Sequence, residues 1–317
     1  MTAETTAEAG EDAPFEAEVI AAYGRHLLVR AGARELRARP SGRRLSIVCG
    51  DRVKCEVDRK HDEVLIVEVL PRRTLLARAS VRGDSEPVVA NITRLVVVLA
   101  PLPRPDFFVI DRYLCAATAA GIAGAIAVNK SDLGDEDLTE DLRAFDAAGY
   151  QRVRCSAKAG QGLDDLRTLL ATGASVLVGQ SGVGKSSLVR ALLPDEEIAT
   201  GELMREEEGR HTTTASRAYR LKPDAASGTL IDSPGVRDFA PAIDHLDEQT
   251  LGFPEVDARA VRCRFQDCKH LQEPGCAVIA AVETREMSAR RYESYRRLRR
   301  LYSDLVEARG PRSRKPR

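Results

Sequence analysis

Two short motifs in this chain could together hold a nucleotide, and they occur in an unexpected order. Gly179-Gln180-Ser181-Gly182-Val183-Gly184-Lys185-Ser186 matches the GxxxxGK[ST] phosphate loop in full. Its glycines let successive backbone N–H groups converge on a β-phosphate, and a following helix adds the positive end of its dipole. Lys185 would neutralise β- and γ-phosphate oxygens and the Ser186 hydroxyl would ligate Mg2+; Ser187 is counted with the loop as a nucleotide contact. Asn129-Lys130-Ser131-Asp132 reads as an NKxD guanine box. Asp132 would accept hydrogen bonds from the guanine N1–H and amino group, whereas adenine would leave a partly buried carboxylate unpaired. Asn129 and Lys130 would hold the base edge and pack on the phosphate loop. Ser156-Ala157-Lys158 has the form of the SAK element that flanks a guanine. In an ordinary GTPase the phosphate loop comes first. Here the guanine box precedes it, so one motif is an accident or the domain is circularly permuted.

The downstream residues favour permutation. Asp232-Ser233-Pro234-Gly235 is a DxxG element, in which Asp232 would hold a magnesium-bound water and the Gly235 N–H would sense the γ-phosphate. Between it and the phosphate loop lies Gly209-Arg210-His211-Thr212-Thr213-Thr214, hydroxyl-rich like a first switch; Thr213 is our candidate to complete the magnesium shell. Val236 follows DxxG, where many GTPases place a water-orienting glutamine. Valine neither donates nor accepts, so slow intrinsic hydrolysis is expected, with His211 as the candidate to position water once a partner is bound.

Elements that would position these groups are legible in the apolar patterning. Arg94–Ala100, Ile122–Val128, Arg152–Arg154, Ala174–Val178 and Gly228–Ile231 read as strands. Helices are expected over Asp106–Ala120, Glu136–Ala148, Leu163–Ala171 and Lys185–Leu193. Alternating strands and helices imply a mainly parallel sheet covered on both faces. A tight turn between the Leu163–Ala171 helix and the Ala174 strand would join the usual last helix of a GTPase to its usual first strand, and the chain would then open after DxxG. Upstream, Glu18–Ala22, His26–Arg30, Leu45–Val48, Arg52–Val57 and Val64–Val69, separated by turn residues, suggest a five-stranded barrel of OB type. Such barrels bind nucleic acid or serve protein contacts; Arg43-Arg44 and Arg72-Arg73 lean toward the former.

A second chemistry is written in Cys263, Cys268, His270 and Cys276, spaced C-x4-C-x-H-x5-C. Three thiolates and an imidazole suit one tetrahedral Zn2+, and four protein ligands leave no open catalytic position, so the site is expected to be structural. Cys49, Cys55, Cys115 and Cys155 are expected to be buried free thiols. A helix over Ser288–Arg309 follows, with an apolar stripe of Tyr295, Leu298, Leu301, Tyr302 and Leu305. Arg290, Arg291, Arg296, Arg297, Arg299 and Arg300 surround it, a solvated basic face or a surface for the phosphates of a structured RNA.

Formal charge cancels, at 48 basic and 48 acidic residues, but is unevenly distributed. Residues 1–18 carry six acids and no base, and 285–317 carry twelve bases against four acids. No apolar run approaches a membrane span and no secretory signal pattern opens the chain, so a cytoplasmic protein with reduced cysteines is expected, with no membrane partner. The expected organisation is multidomain: a disordered acidic leader (1–14), an OB-type barrel (15–72), a linker (73–89), a circularly permuted α/β P-loop GTPase domain (90–240), a mainly helical zinc-binding domain (241–309) and a basic tail (310–317).

Taken together, the rotated GTPase boxes, GRHTTT, DSPGVR and C-x4-C-x-H-x2-EPGC resemble the RsgA family of small-subunit biogenesis GTPases. The resemblance begins in the barrel, at Ile47-Val48-Cys49-Gly50-Asp51-Arg52-Val53, and runs to the arginine-rich helix. It implies a barrel, a permuted GTPase domain and a zinc domain, and a late role in maturation of the small ribosomal subunit. It also implies binding to that subunit's rRNA, GTP hydrolysis to GDP stimulated by the subunit, and nucleotide-gated binding and release; a monomer is expected. Its hydrophobic residue after DxxG and its switch histidine agree with Val236 and His211. Two other readings share features with this one. A P-loop ATPase or kinase would use the same loop but not the guanine box. An RNA-binding module regulated by nucleotide, with negligible hydrolysis, would fit Val236.

Overall fold

The computed structural model describes residues 13–23, 26–42, 45–59, 61, 63–79, 85–193, 216–221, 228–233, 242 and 246–309. Five N-terminal strands, β1 (Phe15–Tyr23), β2 (His26–Ala31), β3 (Arg34–Pro40), β4 (Arg52–Asp58) and β5 (Glu63–Val69), close into a barrel of order β1-β2-β3-β5-β4-β1. All pairs are antiparallel except β3–β5. Alternation points Val19, Leu27, Val29, Val53, Cys55 and Ile66 inward, where they form a core of their own. The third strand differs from expectation. Leu45–Val48 is not a strand; its neighbour Cys49 makes an isolated bridge to Val89. The strand is Arg34–Pro40, whose inward Leu36 and Ala38 are too small and too flanked by charge to stand out in the sequence.

Residues expected to be a linker instead carry a hairpin, β6 (Leu75–Ala79) and β7 (Ser85–Ala90). It packs against the barrel at Gly50, which has φ +88° and leaves only 2.1 Å between a built Cβ and the Ala90 carbonyl oxygen. Only glycine fits there. The next residue, Asp51, is fully buried, and Arg72 binds it through both oxygens at 2.7 and 2.9 Å. Arg72 is therefore committed to the structure and does not belong to the expected basic surface.

The central domain runs β8 (Arg94–Leu99), α1 (Phe107–Ala119), β9 (Ala123–Val128), α2 (Thr139–Ala147), β10 (Gln151–Arg154), α3 (Leu163–Leu170), β11 (Ala174–Val178), α4 (Lys185–Leu192), β12 (Ser216–Arg220) and β13 (Thr229–Asp232). Its strands lie in the order β10-β9-β8-β11-β13-β12, parallel except for β12. Counting from β11 turns this order into 6-5-4-1-3-2, a doubly wound sheet whose first strand carries the phosphate loop beside the switch point. The tight turn expected between α3 and β11 is residues 171–173. There Gly173, with φ +70°, lies close against Thr93 at the start of β8. Two apolar cores lie on opposite faces of the sheet.

Edge strand β12 pairs antiparallel with barrel strand β1 (Ala21↔Arg217, Ala22↔Ser216), so barrel and sheet are continuous. At the other end, α5 (Pro254–Ala260), α6 (Ala277–Glu283) and α7 (Ala289–Arg309) form a helical C-terminal unit. Its core of Leu251, Phe253, Val256, Val278, Tyr295 and Leu298 also takes in Phe108 and Cys115 from α1. Among the described residues no helix is long and apolar enough to cross a membrane.

Candidate functional site: a nucleotide cradle and a separate metal cluster

The phosphate loop follows β11 and opens α4, with Gly179, Gly182 and Gly184 at positive φ. Gly179 sits so close to β8 that a Cβ would meet the Val98 carbonyl oxygen at 2.1 Å, and a Cβ on Gly184 would meet the Asn129 amide nitrogen at 2.4 Å. Those approaches bring the loop under the guanine box at the end of β9. Asn129, which is 1% exposed, donates to the Val183 carbonyl at 2.9 Å and accepts from the Ala157 N–H at 3.1 Å. Lys130, at φ +57°, donates to the carbonyls of Leu102 (2.8 Å) and Gly182 (2.7 Å). The Ser156 hydroxyl donates to Asp132 at 2.6 Å and holds that carboxyl below its ordinary value. The three motifs thus converge although at least 20 residues lie between each and the next in sequence.

Lys185 is buried and its ammonium donates to the Gly179 and Gln180 carbonyls within its own loop. Gln180 in turn accepts from the Asp106 N–H at 2.9 Å, and Asp106 caps α1 through Phe108 and Val109. Ser186 and Ser187 lie in the first turn of α4, and Ser181 is exposed on the loop. Asp232 ends β13, alongside β11. Next to it Ser233, buried, shares a 2.6 Å hydrogen bond with Ser216 at the start of β12, so the end of β13 is fastened to the start of β12. His211, Thr213, Gly235 and Val236 lie outside the described residues.

Cys263, Cys268, His270 and Cys276 gather with their ligand atoms within 4.8 Å of one another. His270 Nδ1 lies 3.5 Å from the Cys263 sulfur and 3.4 Å from that of Cys276, and those sulfurs are 3.9 Å apart. Tetrahedral ligation with Zn–S bonds of about 2.3 Å places sulfurs about 3.8 Å apart, so the donor set fits a metal of that size. Burial pushes the Cys268 thiol up to about 12, raises Cys276 and lowers His270, which favours the neutral imidazole. A bound divalent cation would counter the burial of the thiolates. Glu273, in the same loop, accepts from the N–H groups of Lys269, Leu271 and Gln272. Burial alone would raise its carboxyl, but those bonds prevail and hold it at about 2. The Glu-Pro-Gly-Cys string was visible in the sequence; that its carboxylate shapes the metal loop was not.

The arginine helix departs from expectation. Arg291, 1% exposed, binds Glu255 of α5 and Asp111 of α1 (2.6 Å), and Arg290 reaches Asp111 and Asp141, both at 2.7 Å. Burial raises the Asp111 carboxyl, with Arg291 and Arg290 opposing it; burial alone would lower Arg291, but Asp111 and Glu255 raise it. Arg299 is buried against Tyr295 and the Gln249 carbonyl. Arg290, Arg291 and Arg299 therefore fasten α7 to the rest of the fold. Arg296, Arg297 and Arg300 stay at the surface, Arg297 over the Phe108 ring. Helical spacing puts Arg291 and Arg299 on the face of Tyr295 and Leu298, but the charge of an arginine hides that placement in the sequence.

A family model described as RsgA GTPase matches residues 69–241. The chain is 42% identical over 258 residues to the small ribosomal subunit biogenesis GTPase RsgA of Ectopseudomonas mendocina, covering 80% of this chain and 74% of that protein. It is 40% identical over 311 residues to the protein of the same name from Chromohalobacter salexigens, covering 93% and 88%. The crystal structure of YjeQ from Thermotoga maritima superposes with a TM-score of 0.72 at 28% identity, over 92% of this chain and 99% of that one. The structure of YloQ, described as a circularly permuted GTPase, gives 0.70 at 25% identity, over 98% and 100%. The chain therefore belongs to the RsgA GTPase family, and hydrolysis of GTP is its reaction.

Proposed function

We propose that this GTPase acts late in maturation of the small ribosomal subunit, binding its rRNA and hydrolysing GTP when the subunit stimulates it. The observation that carries the nucleotide half is the Asn129–Val183 bond, which joins a guanine-selecting box to a phosphate loop in a rotated sheet. The family name carries the ribosomal half. In this reading Asp132 selects guanine, flanked by Ser131, Ser156, Ala157 and Lys158. The loop from Gly179 to Ser187 holds the phosphates, with Lys185 on the β/γ oxygens. Ser186 and Thr213 ligate magnesium, Asp232 holds one of its waters and Gly235 senses the γ-phosphate. His211 positions the attacking water, taking the place of the glutamine that Val236 replaces. The Cys263–Cys276 cluster holds a structural zinc. The protein works as a cytoplasmic monomer.

Nucleotide state gates binding through the barrel. The strand leaving the first switch, β12, is paired to barrel strand β1. Ala242, beyond the second switch, donates to the Ala77 carbonyl of the hairpin packed on that barrel. The C-terminal unit, by contrast, is fixed to α1 by the buried Arg291–Asp111–Glu255 cluster. A switch that rearranges on GTP hydrolysis would therefore tilt the barrel while the metal-bearing arm stays still, changing the span of the two on an RNA surface. The test is GTP turnover with and without purified small subunits, together with subunit affinity in the GTP and GDP states. Unstimulated turnover, or equal affinity in the two states, would refute the reading. A His211→Ala chain should bind GTP normally and lose the stimulated rate.

A further inference from the structure

The metal loop exposes apolar side chains that its own core does not use. Val261 is 86% exposed, Phe265 41% and Leu271 37%, all within residues 261–271. Single exposed apolar residues are ordinary, but three fall on one short loop around a metal cluster, and Phe265 is the aromatic one. Hydrogen bonds tie the loop to itself and to Gln249. Arg264 N–H donates to the Gly275 carbonyl (3.2 Å), the Gln249 side chain donates to the Gln266 carbonyl (2.6 Å), and Glu273 takes its three backbone N–H groups. Its surroundings are basic: Arg262, Arg264 and Lys269 are exposed against Asp267, while Glu273 is turned inward onto backbone. The Arg264 guanidinium lies 5.5 Å from the Phe265 ring centroid.

An exposed aromatic ring beside a guanidinium, on a loop that also exposes Arg262 and Lys269, suits an unstacked base. We propose that Phe265 and Arg264 receive an unpaired base of the RNA, with Arg262 and Lys269 on the adjoining phosphates. This rests on the reading that the chain binds rRNA and adds what the arm recognises. Paired A-form RNA keeps its bases stacked and offers this ring nothing, so the target is a loop, bulge or flipped nucleotide. A protein partner would match the apolar patch but not its excess of positive charge.

The test uses the full chain with its metal and purified small subunits. Phe265→Ala should weaken subunit binding about tenfold, a typical effect of losing one stacked base. It should leave metal content, GTP affinity and the salt dependence of binding unchanged, because no phosphate contact is lost. Phe265→Trp should restore the affinity and Phe265→Leu should not. Arg262→Ala with Lys269→Ala should instead flatten the salt dependence. Wild-type affinity in Phe265→Ala would overturn the proposal, as would rescue by leucine equal to that by tryptophan, which would mark an apolar protein contact. Failure of the wild-type chain to bind subunits at all would overturn this and the rRNA reading together.

Discussion

The side-chain amide of Asn129 donates to the backbone carbonyl of Val183 at 2.9 Å, which fastens the guanine box to the phosphate loop. The same side chain accepts from Ala157, so one buried residue ties three recognition segments. Asn129→Ala leaves the Val183 carbonyl and the Ala157 N–H without that partner in a place water reaches poorly, at about 1–3 kcal/mol. GTP affinity should fall at least tenfold by titration calorimetry, with a lowered melting temperature in the nucleotide-free protein. An effect on affinity alone would mean that the bond forms only around the ligand.

Ser156 donates to Asp132 and stabilises its ionised form, the form that would accept from guanine in the proposed role. Because the folded carboxyl titrates below its ordinary value, guanine binding should persist as pH falls through the usual carboxylate range. Ser156→Ala removes the main cause of that depression, so the acid limb of a GTP-affinity profile should move to higher pH, with affinity near neutrality falling less. If the two profiles coincide, the hydroxyl does not tune Asp132.

How much of this was legible beforehand depended on whether the signal was local. The phosphate loop, NKxD and the metal ligands are short motifs whose chemistry dictates residue type, and β11 falls at the expected Ala174–Val178. The permuted order was readable because it is an order. Strand β3 was hidden because its inward side is only Leu36 and Ala38 between charges. The hairpin is not legible as one because Leu76, Val88 and Val89, which join the core, sit in two short strands among Arg78, Ser85, Glu86 and Pro87 and never alternate cleanly. Arg291 fits neither a solvated basic face nor an RNA surface, and the reason lies at Asp111, 180 positions away, which the sequence does not show beside it.

Removing Arg291 would leave Asp111 and Glu255 buried with much of their compensating charge gone. Loss of one member of a buried cluster costs about 3–5 kcal/mol. Arg291→Ala should therefore release the C-terminal unit from α1, and urea unfolding followed by circular dichroism should show an early helical transition absent from the wild type. GTP affinity should stay within a few-fold of wild type, since the cluster lies outside the guanine box and phosphate loop. Should the variant unfold in one transition at the wild-type midpoint, the cluster does not hold the arm.

Metal removal tests the same joint from the other side. The thiols of Cys268 and Cys276 are raised by burial, so without a cation the loop favours protonated sulfurs that fill the site but no longer bind α5, α6 and α7 together. Chelation should therefore lower helical ellipticity by the content of those helices while leaving GTP binding in place. The consequences should not stop at the domain border, because Phe108 and Cys115 of α1 belong to the C-terminal core and Asp111 depends on Arg291. Once the arm unfolds, that face of α1 meets water and the remaining GTPase domain should melt several degrees lower, with GTP partly restoring it by mass action. An unchanged spectrum after metal analysis confirms complete removal would show that the cluster is held without its ion.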